Sequence, residues 1–416
     1  MITRLEAYRY RCFDRLSVSL GGYTVLVGRN GAGKSTLVDI PVLLGEMLQK
    51  QSAHAAFFSP TPSHLRPRAE SAQDLAFNRS GSWFAFAVEV ALPNEIALKV
   101  GAKHARYELS FTVDGSALLL SQEGVILFDE RRALLPLPER LWLTSFADHD
   151  QNARVVLRRE LGGRTEFIRE PKLRGAKPSS VPFDSGPETP ALAYVPPDLN
   201  WFPACTWLRT FLSRECTLYQ PSLNGLRTAQ PSPGKDFKIA PDATTLAWSV
   251  LRFAAENKRG FKEWNQHVQT VLPNFDYADA RQREDDKFAY LRVHYKNGLI
   301  VPGHGLSDGT LSLLALTILP YLSNIPRCIA IEEPENGIHP KAIEAVLEML
   351  RSIDKSQVWV TSHSPIVVAV TPLKNLLCLS TAKTGGVETK LGSEHPFLAH
   401  WQGTPDLGTL HSAGVL

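Results

Sequence analysis

The chain has 416 residues, 44% of them hydrophobic and 21% charged, with 45 basic against 42 acidic side chains and a formal net charge of +3. This composition suits a globular chain of two or three domains and excludes a disordered or fibrous one; its mild basicity permits nucleic-acid contact without requiring it. Five cysteines, Cys12, Cys205, Cys216, Cys328 and Cys378, form an odd set without C-x-x-C spacing, which argues against a disulfide framework and a zinc site. No run reaches the ~18 apolar residues of a membrane span, and the start Met1-Ile2-Thr3-Arg4-Leu5-Glu6 has no apolar signal core. A cytoplasmic protein with no membrane partner is expected.

Residues 2–22 alternate as strands and lead to the apolar strand Thr24-Val25-Leu26-Val27. Gly28-Arg29-Asn30-Gly31-Ala32-Gly33-Lys34-Ser35 follows, fitting G-x-x-x-x-G-K-[ST] between a strand and a helix that opens at Lys34. Gly28, Gly31 and Gly33 permit positive φ, so that backbone N–H groups and the helix N-terminus form a concave anion site. Lys34 would reach the β- and γ-phosphates of ATP as a point charge, and the Ser35 hydroxyl would meet Mg2+. Asn30 and Thr36 complete the expected nucleotide contacts.

A polar loop is expected over 51–71, then strands over 83–92, 105–113 and 124–128 joined by turn signals such as Asp114-Gly115, an antiparallel lobe. Residues 136–245 are rich in proline and lack heptads, which predicts a compact insertion, helical around 201–214 and 243–258, rather than a long coiled coil. Residues 152–177 carry Arg154, Arg158, Arg159, Arg164, Arg169, Lys172, Arg174 and Lys177 against Glu160, Glu166 and Glu170. Such a run is either a solvated basic face or a surface for a phosphate backbone or acidic partner. An amphipathic helix over 261–272 and a hairpin over 288–302 come next.

Leu306-Ser307-Asp308-Gly309 precedes a helix that starts at Thr310 and is ended by Pro320. A serine hydroxyl and a glycine amide there make either a plain cap or a second anion site. The apolar run Arg327-Cys328-Ile329-Ala330-Ile331 reads as a buried parallel strand with Glu332 and Glu333 at its C-terminal end, where ligands bind in open α/β sheets. Neighbouring strand residues face opposite ways, so the two carboxylates divide the work. Glu332 suits Mg2+, directly or through water, and Glu333 suits orienting and polarising the attacking water. After a helix over 340–353, Val358-Trp359-Val360-Thr361-Ser362-His363-Ser364-Pro365 places His363 at another strand end, within reach of a phosphate or its attacking water. A last strand over 376–379 and a mixed tail from 395 close the chain.

Ile331-Glu332-Glu333-Pro334-Glu335-Asn336-Gly337-Ile338-His339-Pro340 resembles the E-E-P-E-N-G-[LI]-H-P stretch of ABC-type AAA ATPases related to the OLD family, which are similar to RecF and SMC heads. The resemblance covers residues 1–39 and 261–377. It implies an α/β, ABC-type P-loop NTPase head, a mixed central sheet with antiparallel and helical lobes: residues 1–135 as the N-terminal ATPase lobe, 136–245 as a compact α-rich insertion, and 246–416 as the C-terminal lobe. It makes Glu333 the catalytic glutamate, Glu332 the acid that stands where many relatives carry Asp, and His363 the switch histidine. Ser307 and Gly309 would bind the γ-phosphate held by the other protomer, so that ATP glues a two-fold homodimer or a larger homo-oligomer. Asn336 and His339 fall where relatives link the two active sites. Tyr8 and Arg11 are candidates for the base, or plain surface strand residues, and Gln73 is a weak candidate for the family's glutamine loop.

Only about 50 residues follow His363, too few for the Toprim nuclease of the OLD family. The resemblance therefore implies an ATP-hydrolysing switch or scaffold that controls a separate nuclease or toxin in anti-phage defence. The alternative is a RecF-like ATPase that binds DNA in repair or recombination.

Overall fold

The computed structural model describes residues 1–61, 64, 66–129, 153–160, 165–171, 179–184, 186–382, 385–395 and 398. They form two compact units, each discontinuous in sequence: Met1–Gly21, Thr36–Cys216 and Ser380–Thr389 in the first, and Gly22–Ser35, Thr217–Leu379 and Lys390–Leu416 in the second.

The first unit is built on an eight-stranded antiparallel sheet. Its order runs from Phe13–Ser19 through Ile2–Tyr10, Trp83–Ala91, His104–Asp114, Ala117–Phe128, Arg154–Glu160 and Thr165–Ile168 to Ser180–Phe183. Trp83–Ala91 is buried along nearly its whole length, as its apolar sequence Phe84-Ala85-Phe86-Ala87-Val88 requires. Tyr10, Phe57, Phe84, Phe86 and Phe111 form an aromatic cluster with edge-on and stacked neighbours. Arg106 is fully buried within the sheet. Its Nη2 meets Glu6 at 2.6 Å, its Nη1 meets Glu89 at 2.7 Å, and its Nε meets Glu108 on its own strand.

Three arginines of the basic run, Arg154, Arg159 and Arg169, are engaged within the fold. Residues 154–183 add three strands to the sheet, where only an α-rich insertion was expected. Arg154 donates to the carbonyls of Glu170 (2.7 Å) and Val100, and Arg159 to those of Thr189 (2.6 Å) and Gly186 (2.8 Å). The Arg169 guanidinium lies 5.0 Å from the Trp201 ring centroid. Asn152, Arg164, Lys172, Arg174 and Lys177 lie outside the described residues. Two buried glutamates then cap helical N-termini: Glu170 accepts from Ala204 N (2.5 Å) and Cys205 N (2.8 Å) at the start of helix Pro203–Glu215, and Glu123 accepts from Ala191 N (2.6 Å) and Leu192 N (2.9 Å). Burial pushes both carboxyls above their ordinary range, and these N–H donors pull them back.

In the second unit five strands lie side by side in the order Cys216–Tyr219, Cys328–Glu332, Gln357–Ser362, Tyr23–Val27 and Leu376–Thr381. The last four are parallel, and their apolar runs are buried on both faces. Helix Pro340–Arg351 makes the crossover between two of them, its apolar side at Ile343, Val346, Leu347 and Leu350 turned to the core. Helices Leu246–Glu256 and Lys258–Val271 pack on a three-stranded antiparallel sheet of Phe275–Gln282, Ala289–Tyr295 and Ile300–Pro302. The two helices expected around 201–214 and 243–258 thus form as Pro203–Glu215 and Leu246–Glu256. Among the described residues no helix is long and apolar enough to cross a membrane.

Candidate functional site

Strand Tyr23–Val27 pairs with Gln357–Ser362 on one side and Leu376–Thr381 on the other, and it delivers the glycine loop at its C-terminal end. A side chain at Gly28 would place its Cβ 2.3 Å from the Leu379 carbonyl oxygen, so only glycine fits there. Gly31 (φ +81°) and Gly33 (φ +87°) are left-handed, which curls the loop over the first turn of helix Lys34–Lys50. Lys34 is 7% exposed, and its Nζ donates to the carbonyls of Gly28 (2.7 Å) and Arg29 (3.1 Å). Burial lowers its pKa, while Glu333, Glu335 and Glu332 act to hold the proton. Both hydrogen-bond partners of the lysine are thus carbonyls of the glycine loop itself. Asn30 and Ser35 are exposed beside it, with Thr36 half-buried.

The parallel register sets Glu332 beside Thr361, at the C-terminal ends of Cys328–Glu332 and of Gln357–Ser362, the strand that lies between it and the loop strand. Glu333 then leaves the strand with φ +45°, a left-handed conformation unfavourable for a residue with a Cβ, and its N–H is tied to the Thr361 carbonyl at 2.8 Å. The two acids acquire different partners, as their alternation requires. Glu332 Oε2 accepts from Gln220 Nε2 at 2.5 Å. Glu333 accepts from Asn336 Nδ2 at 2.8 Å, and its other oxygen lies 2.9 Å from His363 Nδ1. Burial raises the Glu333 pKa, but the bonds from Asn336 and His363 and the nearby Lys34 outweigh it and hold the carboxylate below its ordinary range.

A cavity of about 450 Å³ opens here, bounded by Ser35, Gln220, Glu332 and Glu333 at its polar side and by Leu223, Leu316 and Ile331 at its apolar side. Among the described residues no group of three His, Cys, Asp or Glu side chains is arranged to hold a metal by itself. One hydroxyl and one or two carboxylates suit Mg2+, an ion that keeps several waters and takes phosphate oxygens for the rest. The donor set therefore fits the expected Mg-ATP.

Gln220 was not recognised from the sequence. It follows the four-residue edge strand Cys216–Tyr219 and is held by its N–H to the Pro241 carbonyl at 2.8 Å. No motif surrounds it, and its partner stands more than a hundred residues away; only the pairing of two strand ends brings them together. Gln73, the candidate from sequence, lies on the short turn Ala72–Leu75 of the first unit. In that unit too, Arg11 donates to the Arg68 carbonyl, and burial pushes the Tyr8 phenol up to about 12.

Ser307 caps helix Asp308–Thr317, its Oγ accepting from Thr310 N at 3.3 Å. Asp308 is paired with Arg227, whose Nη2 also donates to the Leu306 carbonyl at 3.2 Å. A Cβ on Gly309 would lie 2.4 Å from the Gly337 carbonyl oxygen. Gly309→Ala is therefore expected to displace the loop that carries Asn336, lowering the melting temperature because the clash is with backbone and lowering ATP turnover roughly tenfold or more, as thermal unfolding and phosphate release would read. His339 caps helix Pro340–Arg351, its Nδ1 accepting from Lys341 N at 3.3 Å. Lys34, Glu332, Glu333 and His363 are brought together within one chain. Ser307 and Gly309 are not among the residues that line the cavity.

No curated protein sequence matches the chain. A solved SMC head, bound to the C-winged helix domain of ScpA, superposes with a TM-score of 0.50 at 13% identity, over 94% of this chain and 96% of that one. An SMC head with an extended coiled coil, bound to the C-terminal domain of ScpA derived from Pyrococcus furiosus, gives 0.46 at 11% identity over 94% and 95%. The SMC head domain from Thermotoga maritima gives 0.41 at 10% identity over 94% and 98%. At such identity the first of these speaks to fold alone, and that fold is the mixed α/β, ABC-type ATPase head. The family described as "AAA domain, putative AbiEii toxin, Type IV TA system" matches residues 23–369, a span that takes in the glycine loop, the Ser307 cap, both acids and His363, and the chain belongs to that family.

Proposed function

We propose that this protein is an ATPase whose two copies close face to face on ATP, and that the closed dimer, or a larger assembly of it, controls a separate nuclease or toxin in defence against phage. The observation that carries the ATPase reading is the convergence of Lys34, Ser35, Glu332 and Glu333 at the C-terminal ends of two parallel strands that flank Gln357–Ser362 in one sheet. Bound Mg-ATP would supply the γ-phosphoryl group and the counter-charge. Lys34 would exchange its carbonyl partners for phosphate, Ser35 and Glu332 would hold the ion, and Glu333 would hold a water and take its proton. Asn30, Gly31, Gly33 and Thr36 would line the triphosphate. Ser307 and Gly309, which do not line the cavity of their own chain, would meet the phosphate held by the other copy. We assign residues 1–135 and 246–416 as the two ATPase lobes and 136–245 as the segment between them.

The effector role draws on the toxin and toxin–antitoxin terms of the family description and on the resemblance to OLD-type ATPases. The RecF-like alternative is weaker because Arg154, Arg159 and Arg169 are engaged within the fold.

The test is solution mass by light scattering with and without Mg-ATP. The wild type should double its mass with ATP. Lys34→Ala should lose nucleotide binding itself, and Ser307→Arg should bind ATP yet remain monomeric. A wild type that binds ATP and stays monomeric at every concentration would refute the shared site.

A further inference from the structure

His363 is set by the two residues that flank it. Ser362 ends strand Gln357–Ser362 and is fully buried; its Oγ accepts from Ser364 N at 2.9 Å and donates to Glu335 Oε1. Those two bonds define the turn 362–364, and His363 is its middle residue, with Nδ1 2.9 Å from Glu333. Glu335 rides on the loop that starts at Glu333, where Asn336 N donates to the Glu333 carbonyl and Ile338 N to the Glu335 carbonyl, each at 3.0 Å.

As a stabilising device this arrangement is poor. The second oxygen of Glu335, Oε2, is buried and makes no hydrogen bond. A carboxylate placed there loses hydration and faces the like charge of Glu333, both of which disfavour it. What it does accomplish is geometric: it fixes a serine hydroxyl, and the hydroxyl fixes a backbone N–H on the far side of the histidine.

We propose that Glu335 is a positioning residue that acts through Ser362 to keep His363 in register with Glu333. This rests on the roles given above to Glu333 and His363, and it adds a third acid to the site with a function distinct from metal binding and proton transfer. The interaction requires an acceptor oxygen at 335 and a hydroxyl at 362, not a charge.

Steady-state ATP turnover of the full chain tests this, using Glu335→Ala, Glu335→Gln, Ser362→Ala, Ser362→Thr, His363→Ala and the Glu335→Ala/Ser362→Ala double variant. Glu335→Ala and Ser362→Ala should each lower kcat about tenfold with KM for ATP little changed. Glu335→Gln and Ser362→Thr, which keep the acceptor and the hydroxyl, should recover most of that loss. The double variant should be no worse than either single, because both break one chain of contacts. Full turnover in Ser362→Ala, additive losses in the double variant, or a Glu335→Gln as slow as Glu335→Ala would each overturn the proposal. If Ser362→Ala and Ser362→Thr fail to fold, the comparison of alanine with glutamine at 335 still decides it. Should His363→Ala turn over ATP normally, the reading of the histidine itself falls; should His363→Ala alone be slow, that reading stands and Glu335 is excluded.

Discussion

Glu333→Gln should bind ATP as tightly as the wild type, hydrolyse it at least about a hundredfold more slowly, and accumulate as an ATP-bound dimer. The amide keeps the side chain's shape and one oxygen to accept from Asn336 or His363, the two partners that hold Glu333 now. What it cannot do is take a proton from water. Backbone strain at φ +45° is the same for both side chains, so the comparison isolates the chemistry of the carboxylate. Phosphate release gives the rate, and light scattering gives the trapped dimer. Wild-type turnover in this variant would remove Glu333 from the reaction altogether.

Arg106→Met should destabilise the protein by about 3–5 kcal/mol, a large share of the 5–15 kcal/mol typical of a whole domain. The arginine is fully buried and serves Glu6, Glu89 and Glu108, all of them buried; its loss leaves three carboxylates without their shared cation. Burial already pushes Glu89 and Glu108 above the ordinary carboxylate range, against the pull of Arg106. A carboxyl raised in the folded state favours folding at low pH and loses that contribution as pH rises through its folded value. The variant should therefore be weakest near neutral pH and recover part of its deficit on acidification, relative to wild type at the same pH. Denaturant melts across that range read the effect directly. A deficit that does not shrink on acidification would mean that the glutamates are not the source of the loss.

The residues legible in the sequence were those whose chemistry is local. Gly28 to Ser35 combine a turn, a helix start and a charge within eight positions, and Glu332 and Glu333 follow an apolar run that only a buried strand explains. Gln220 was illegible because its meaning comes from a strand pairing, not from its neighbours in the chain. Arg154 and Arg159 misled for the same reason: a count of charges cannot tell an exposed guanidinium from one turned inward onto carbonyl oxygens. Glu335 lay in plain view within the acidic motif, yet nothing short of coordinates links it to Ser362.

The strand that presents the glycine loop has its sheet partners at 357–362 and 376–381, more than three hundred residues later. During translation residues 23–27 must wait on the ribosome for roughly half a minute before the strand that completes their pairing emerges. Until then the apolar run at 24–27 lacks both of its native sheet partners. A chain cut short before Gln357 would lack the strand that pairs Cys328–Glu332 with Tyr23–Val27, so the glycine loop and the two acids would no longer be held in one sheet.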